Sequence, residues 1–128
     1  TVQDRVFISG TCLIHQFARI GTLALMQGGA GISKDLPPYT IAAGNNQISG
    51  LNVVGLRRAG FTSGERLELR ELYHLLFRRG LKHRDALAQA RQEFTSPKAA
   101  VMLDFLETGR RGFCRDTGAR DQSSESES

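Results

Sequence analysis

VQDRVFISGTCLIHQFARIGTLALMQGGAGI, residues 2–32, is the stretch on which the fold turns. Large apolar side chains recur at every sixth position: Val2, Ile8, Ile14, Ile20, Met26 and Ile32. Two residues before each of the last four stands a small one, Cys12, Ala18, Ala24 or Ala30, while Val6 before Ile8 is the one larger member. An amphipathic helix would place apolar residues at i, i+3, i+4 and i+7, which this stretch does not do. A parallel β-helix built from hexapeptides accounts for both registers. One aliphatic residue per repeat fills the interior of a flat side, the small residue sits near a corner, and three repeats close one triangular coil. Residues 2–19 and 20–37 are then two coils stacked at the ~4.8 Å strand spacing. The competing reading is a pair of hairpins turning at Gly10, Gly21, Gly28, Gly29 and Gly31. Hairpins impose a period of two and carry no rule at six. Two coils are few for a solenoid, the pattern is already running at Val2, and the first residue is Thr1, so further coils are expected to precede this segment in a complete protein.

After Ile32 the character changes. Asp35-Leu36-Pro37-Pro38-Tyr39 forces an extended path, because proline fixes φ and lacks a donor. The coils are expected to end there. Gly44-Asn45-Asn46 and Ser49-Gly50 are turn signals, and Leu51 to Ala59 reads as a connector containing Asn52, Arg57 and Arg58. Thr62-Ser63-Gly64-Glu65 is a capping-box pattern opening a helix over 62–77, with Leu69, Leu72, Tyr73 and Leu76 on one face. Gly80 stops it. A second helix over about 83–94 has no good N-cap residue before it. A third opens on Ser96 with Pro97 in its first position and ends at Gly109. The expected divisions are β-helix coils over 1–44, a connector over 45–61, a small helical bundle over 62–115, and an acidic Ser-rich tail over 116–128 with nothing to bury and an expected disorder.

The 128 residues suit about one ordinary domain, and 40% apolar with 23% charged residues is a globular composition. No apolar run approaches the ~18–20 residues that span a bilayer, and no signal segment opens the chain, so a cytoplasmic location is expected. Cys12 and Cys114 lack CxxC spacing and read as reduced thiols, neither a zinc site nor a disulfide framework. His15, His74 and His83 show no ligand spacing, so neither metal nor cofactor is expected. The net charge of +4 hides a division. Residues 1–115 hold 16 Lys/Arg against 9 Asp/Glu, whereas 116–128 hold one Arg against four acids. The basic part favours acidic partners, and the absence of an aromatic-interleaved basic motif speaks against nucleic acid.

Several words of sequence now narrow the class. Ile14-His15-Gln16-Phe17, Asp35-Leu36-Pro37-Pro38-Tyr39, Gly44-Asn45, Gly50-Leu51-Asn52-Val53-Val54-Gly55-Leu56-Arg57-Arg58, Gly80-Leu81 and Arg111-Gly112-Phe113-Cys114-Arg115 occur in this order. Together they resemble the C-terminal half of the acyl-carrier-protein-dependent UDP-N-acetylglucosamine O-acyltransferases, the family that opens lipid A synthesis. The resemblance implies a left-handed parallel β-helix followed by a helical bundle, assembled as a homotrimer. It also implies transfer of a 3-hydroxyacyl group from acyl carrier protein to the 3-hydroxyl of the UDP-sugar, in clefts between subunits. The family's general-base histidine lies on a coil upstream of this sequence, and no residue here matches it. The isolated chain is therefore expected to be inactive. The alternatives are a non-catalytic module that keeps only the trimer and carrier-protein surfaces, and another hexapeptide acyltransferase with a different acceptor.

Candidate site residues follow from the same resemblance. His15 follows an inward Ile14 and should point outward; read by itself it is half of a surface His-Gln pair, and the resemblance puts His15 and Gln16 at the substrate cleft. Asn52 and Arg58 match positions that approach the UDP-sugar. The guanidinium offers phosphate oxygens a planar, permanently charged fork, although Arg57-Arg58 taken alone reads as a solvated pair. Val54 stands where some members carry an acid, and Ala59 where many carry another Arg. Gly28 and Gly29 fall where the family limits acyl-chain length, and their smallness would admit a longer chain; otherwise they are corner glycines. Arg78, Arg79, Lys82 and Arg84 form a basic surface that suits an acidic carrier protein, or a merely solvated face.

Overall fold

The computed structural model describes residues 7–8, 13–14, 18–109 and 112–116. Its first strands pair in parallel at a fixed step. In β1 (Phe7–Ile8) Phe7 lies opposite Leu25 and Ile8 opposite Met26 of β3 (Leu25–Met26). In β2 (Leu13–Ile14) Leu13 lies opposite Gly31 and Ile14 opposite Ile32 of β4 (Gly31–Ile32). Each pairing spans eighteen residues, three of the six-residue repeats seen in the sequence. A third line of stacking joins Ile20 to Leu36, so the pairs fall on three separate sides of the chain's path. Ile20 and Met26 are fully buried, Ile32 nearly so, and Ala18, Ala24 and Ala30 are buried beside them. Over 18–32 both registers of the repeat therefore mark interior positions, while Ile8, in the first described strand, is 47% exposed.

The stacking does not stop at the prolines. Beyond Ile32 the step shortens from eighteen to sixteen: Leu25 pairs with Ile41 and Met26 with Ala42 of β5 (Thr40–Ala43), in parallel. The six-residue rule lapses while the coil continues, two residues shorter. Two local devices accommodate the change. Gly21 lies against the next layer so closely that a Cβ would stand 2.3 Å from the Pro38 nitrogen. Tyr39 adopts a left-handed backbone with φ of 70°, donating its N–H to Thr22 and accepting at its carbonyl from Asn52. Its buried ring meets Phe61 edge-on, and its hydroxyl donates to the Lys98 carbonyl at 2.9 Å. β5 then turns through Gly44-Asn45-Asn46 into β6 (Gln47–Leu51), which runs antiparallel to it.

The segment read as a connector contains a short helix, α1 (Val53–Arg58). Its six residues give no hydrophobic periodicity to read. α2 (Ser63–Phe77) has the full capping box, with the Thr62 hydroxyl accepting from the Glu65 N–H and the Glu65 carboxylate accepting from the Thr62 N–H. α3 (His83–Glu93) begins without a side-chain cap, and α4 (Pro97–Thr108) is capped by Ser96 with Pro97 in its first position. These three helices pack on one another and continue the buried core from the coils through Leu69, Leu72, Leu75, Met102 and Leu103. No helix among the described residues is long and apolar enough to cross a membrane.

The chain then returns to the coils. β7 (Arg115–Asp116) adds in parallel to β6, with Gln47 opposite Arg115 and Ile48 opposite Asp116. The boundary expected at Arg115 thus moves by one residue. Asp116 is held because its carboxylate accepts from the Tyr73 hydroxyl and from Arg78 Nε. Residues 117–128 of the expected tail lie outside the described residues.

Candidate substrate-binding segment and basic surface

The segment 52–58 is built around an asparagine. Asn52 Oδ1 accepts from the Gly55 N–H at 3.1 Å, capping α1, and Nδ2 donates to the Leu23 carbonyl at 2.9 Å. The second bond ties the start of α1 to the coil. Leu23 is itself in a left-handed turn with φ of 57°. A Cβ on Gly55 would stand 2.3 Å from Asn52 Nδ2, so Asn52 and Gly55 fit each other as a pair. Asn52 is only 4% exposed, and both polar ends of its carboxamide have internal partners. In this chain it shapes the segment more than it presents a binding group. The other end differs: Arg57 and Arg58 are exposed in the last turn of α1, and the Arg58 side chain has no partner among the described residues. Val54, between Asn52 and Arg57, is 54% exposed. The arrangement offers a free guanidinium on a short helix whose first turn is locked to the coil.

Gly28 and Gly29 are exposed in the turn between β3 and β4. Gly29 has φ of 81° with nothing within 4 Å of where a Cβ would sit. The backbone there already calls for glycine, whatever else the position does. His15 and Gln16 lie outside the described residues, as does Cys12.

The basic group over 78–84 divides in two. Arg78 is turned inward, its Nε 3.3 Å from the Asp116 carboxylate and its guanidinium 5.3 Å from the Tyr73 ring centre. It holds β7 against the end of α2. Arg79, Lys82 and Arg84 are exposed, and none has a side-chain partner among the described residues. Beside them a cleft of about 390 Å³ is lined by Leu76, Phe77, Leu81, Lys82, Phe113 and Asp116, with His83 at its edge. The His83 ring lies 4.6 Å from that of Phe113, and partial burial lowers its pKa below the ordinary histidine value.

One polar centre was not legible in the sequence. Asp35, 2% exposed, accepts from the Arg19 backbone N–H at 2.8 Å and from Arg19 Nε at 2.9 Å. The same guanidinium donates to the Phe105 carbonyl at 2.7 Å and to the Thr108 hydroxyl at 2.9 Å, and lies 4.1 Å from the Phe105 ring centre. Arg19 therefore joins two coils to the end of α4. Asp35 further accepts at its carbonyl from the Cys114 N–H, which fixes the returning strand. Cys114 is buried and free, and desolvation, reinforced by Asp35, pushes its thiol up to about 12. These residues are fully used within the fold. Among the described residues no group of His, Cys, Asp and Glu could hold a metal ion.

Comparisons with known proteins bear on this arrangement. The family model described as UDP-N-acetylglucosamine O-acyltransferase, domain 2, matches residues 35–114. The acyl-[acyl-carrier-protein]–UDP-N-acetylglucosamine O-acyltransferase of Myxococcus xanthus is 36% identical over 117 residues, 90% of this chain and 45% of that protein. Its counterpart in Janthinobacterium sp. is 38% identical over 120 residues, 89% of this chain and 46% of that protein. Among solved structures, the UDP-N-acetylglucosamine acyltransferase of Bacteroides fragilis superposes with a TM-score of 0.83 at 36% identity, over 89% of this chain and 46% of that one. The Francisella novicida enzyme gives 0.84 at 32% identity, over 97% and 45%. The chain thus spans a little under half the length of the relatives it matches.

Proposed function

Because this chain belongs to the UDP-N-acetylglucosamine O-acyltransferase family, we propose that it forms the C-terminal part of an enzyme moving a 3-hydroxyacyl group from acyl carrier protein to the 3-hydroxyl of UDP-N-acetylglucosamine, the first step of lipid A synthesis. The coils are those of a left-handed parallel β-helix, three copies of the chain assemble around it, and the enzyme works in the cytoplasm. The general-base histidine belongs to a coil N-terminal to Thr1.

Within this reading the chain contributes binding. Arg58 donates to the diphosphate of the UDP-sugar, where a fixed positive fork is worth most. Asn52 supports it by holding α1 to the coil, and His15 and Gln16 order the bound sugar or acyl donor from the outer face of the coil. Gly28 and Gly29 leave room for a long acyl chain. Arg79, Lys82 and Arg84 receive the acidic carrier protein, with Arg78 bracing the surface from behind. The observation that carries the proposal is Arg58 itself: exposed, without a side-chain partner among the described residues, at the end of a helix whose start is buried and doubly hydrogen-bonded.

The test uses a spliced enzyme in which this chain replaces the matching part of the Myxococcus xanthus relative. Arg58→Ala should raise the apparent KM for UDP-N-acetylglucosamine roughly ten- to a hundred-fold, the equivalent of ~1.5–3 kcal/mol for a hydrogen bond to a charged group. The KM for the acyl donor should hardly move. An unchanged KM for the sugar nucleotide removes Arg58 from the site. The span of the match favours a second reading, a non-catalytic module that keeps the assembly and carrier-protein surfaces. A spliced enzyme that assembles and binds carrier protein without transferring acyl groups would support that reading.

A further inference from the structure

We infer that the cleft beside the α2–α3 loop takes an apolar side chain from the acidic partner of Arg79, Lys82 and Arg84, an inference that rests on the reading of that partner as acyl carrier protein. Three observations meet at this surface. The first is the cleft itself, about 390 Å³, whose apolar lining is Leu76, Phe77, Leu81 and Phe113. That lining is held from behind. Phe77 lies 4.9 Å from the buried Tyr73 ring and meets Phe113 edge-on at 5.7 Å, and the Cys114 N–H beside Phe113 donates to the Asp35 carbonyl at 2.7 Å. The second is Leu81, a large apolar side chain left 43% exposed between Arg79 and Lys82. The third is charge. Over 79–85 three cations stand against Asp85 alone, and the three have no side-chain partner among the described residues, whereas Arg19, Arg78, Arg91 and Lys98 each have a carboxylate. Asp116, which also lines the cleft, accepts from the Tyr73 hydroxyl and from Arg78 Nε, so its charge is offset within the fold.

An apolar lining beside exposed cations is complementary to an apolar side chain flanked by carboxylates, the face that an acidic amphipathic helix presents. The cleft stands near the lower end of the ~300–1,000 Å³ of ordinary binding pockets, so it admits an anchoring side chain while the rest of the partner lies across the cations. The two parts act on different rates. Exposed charges steer the encounter and are screened by salt, which places Arg79, Lys82 and Arg84 in the association rate. An apolar anchor seated in a preformed pocket keeps water out and sets the dissociation rate, which places Leu81 and the cleft there. A partner with acidic groups and no apolar residue at their centre then arrives quickly and leaves quickly.

The experiment adds acyl carrier protein to the full chain labelled at its leucine methyl groups, and reads association and dissociation rates by stopped flow on the same samples. The Leu76 and Leu81 methyl resonances should shift on addition of the carrier. Leu81→Ser should raise the dissociation rate roughly five- to thirty-fold and leave the association rate within about two-fold. Leu81→Met keeps the apolar contact and should behave as the unaltered chain. R79A/K82A/R84A should instead lower the association rate about ten-fold at low salt and remove most of its salt dependence. Equal urea midpoints show that the variants fold alike. If the triple variant slows association while Leu81→Ser leaves dissociation unchanged, the cleft contact is overturned and the carrier reading stands. If the carrier does not bind, or no variant alters its binding, the carrier reading falls and takes the cleft contact with it. Leu81 shifts brought about by raising the chain's own concentration or by phosphatidylglycerol vesicles, and not by the carrier, also overturn it, and name a second copy or a lipid surface as the occupant.

Discussion

Gly55 has no room for a methyl group, since the space a Cβ would take is filled by the Asn52 carboxamide. That carboxamide caps α1 and holds it to Leu23. Gly55→Ala should therefore destabilise the chain by about 2–4 kcal/mol, combining overpacking with loss of a cap. Urea unfolding measures the effect. In an Asn52→Ala background the same substitution should cost clearly less, because the clash partner is gone; additive costs would show that the pair is not coupled. The Asn-x-x-Gly spacing is a readable N-cap signal, but helix α1 is too short for periodicity to announce it. The ion pair of Arg19 with Asp35 was illegible for a different reason. Its two partners belong to successive layers of a coil shortened by two residues, so no residue spacing carried over from the regular repeat brings them opposite each other.

Among elements, the helices were legible to the degree that their ends are chemically marked. α2 and α4 begin at Thr62 and Ser96 as the cap patterns require, and α3 begins, as expected, without a cap. Thr62→Ala should cost roughly 1 kcal/mol in urea unfolding. The pH dependence has a definite sign. Hydrogen bonds from Lys98 and from the Thr62 N–H hold Glu65 below its ordinary value of 4.5, and Arg91 does the same to Glu107. The unfolded chain then binds more protons than the folded one, so stability is full above about pH 5 and declines as pH falls through the carboxylate range. Lys98→Met should flatten that decline, because the first of the donors fixing Glu65 is removed. The decline should persist in part through Glu107, whose fork to Arg91 is untouched. β7 was not foreseen as a strand. Its two residues pair with β6, more than sixty positions away, and nothing local marks them.

For the whole molecule, the six-residue rule over 2–32 translates into an eighteen-residue stacking step, and the interior positions it names over 18–32 are buried, whereas Ile8 is 47% exposed. The rule fails after Ile32 because the next layer is two residues shorter, and Gly21, Pro38 and Tyr39 absorb the difference. Binding groups were less legible than the core. Arg58 stands exposed, Asn52 is occupied within the fold, and Arg78 is spent on closing β7 against α2. Charge alone does not separate a cation that braces the fold from one that faces a partner; that requires knowing where the chain returns.

On the function proposed above, this chain supplies the C-terminal binding surfaces of an acyltransferase whose catalytic base lies elsewhere. The most direct test is the rate of 3-hydroxyacyl transfer from acyl carrier protein to UDP-N-acetylglucosamine, measured side by side for the 128-residue chain and for the chain spliced behind the N-terminal part of the Myxococcus xanthus relative. Turnover is expected from the spliced enzyme and none from the isolated chain. Robust turnover by the isolated chain in a clean preparation, or a folded spliced protein that transfers nothing, would contradict it.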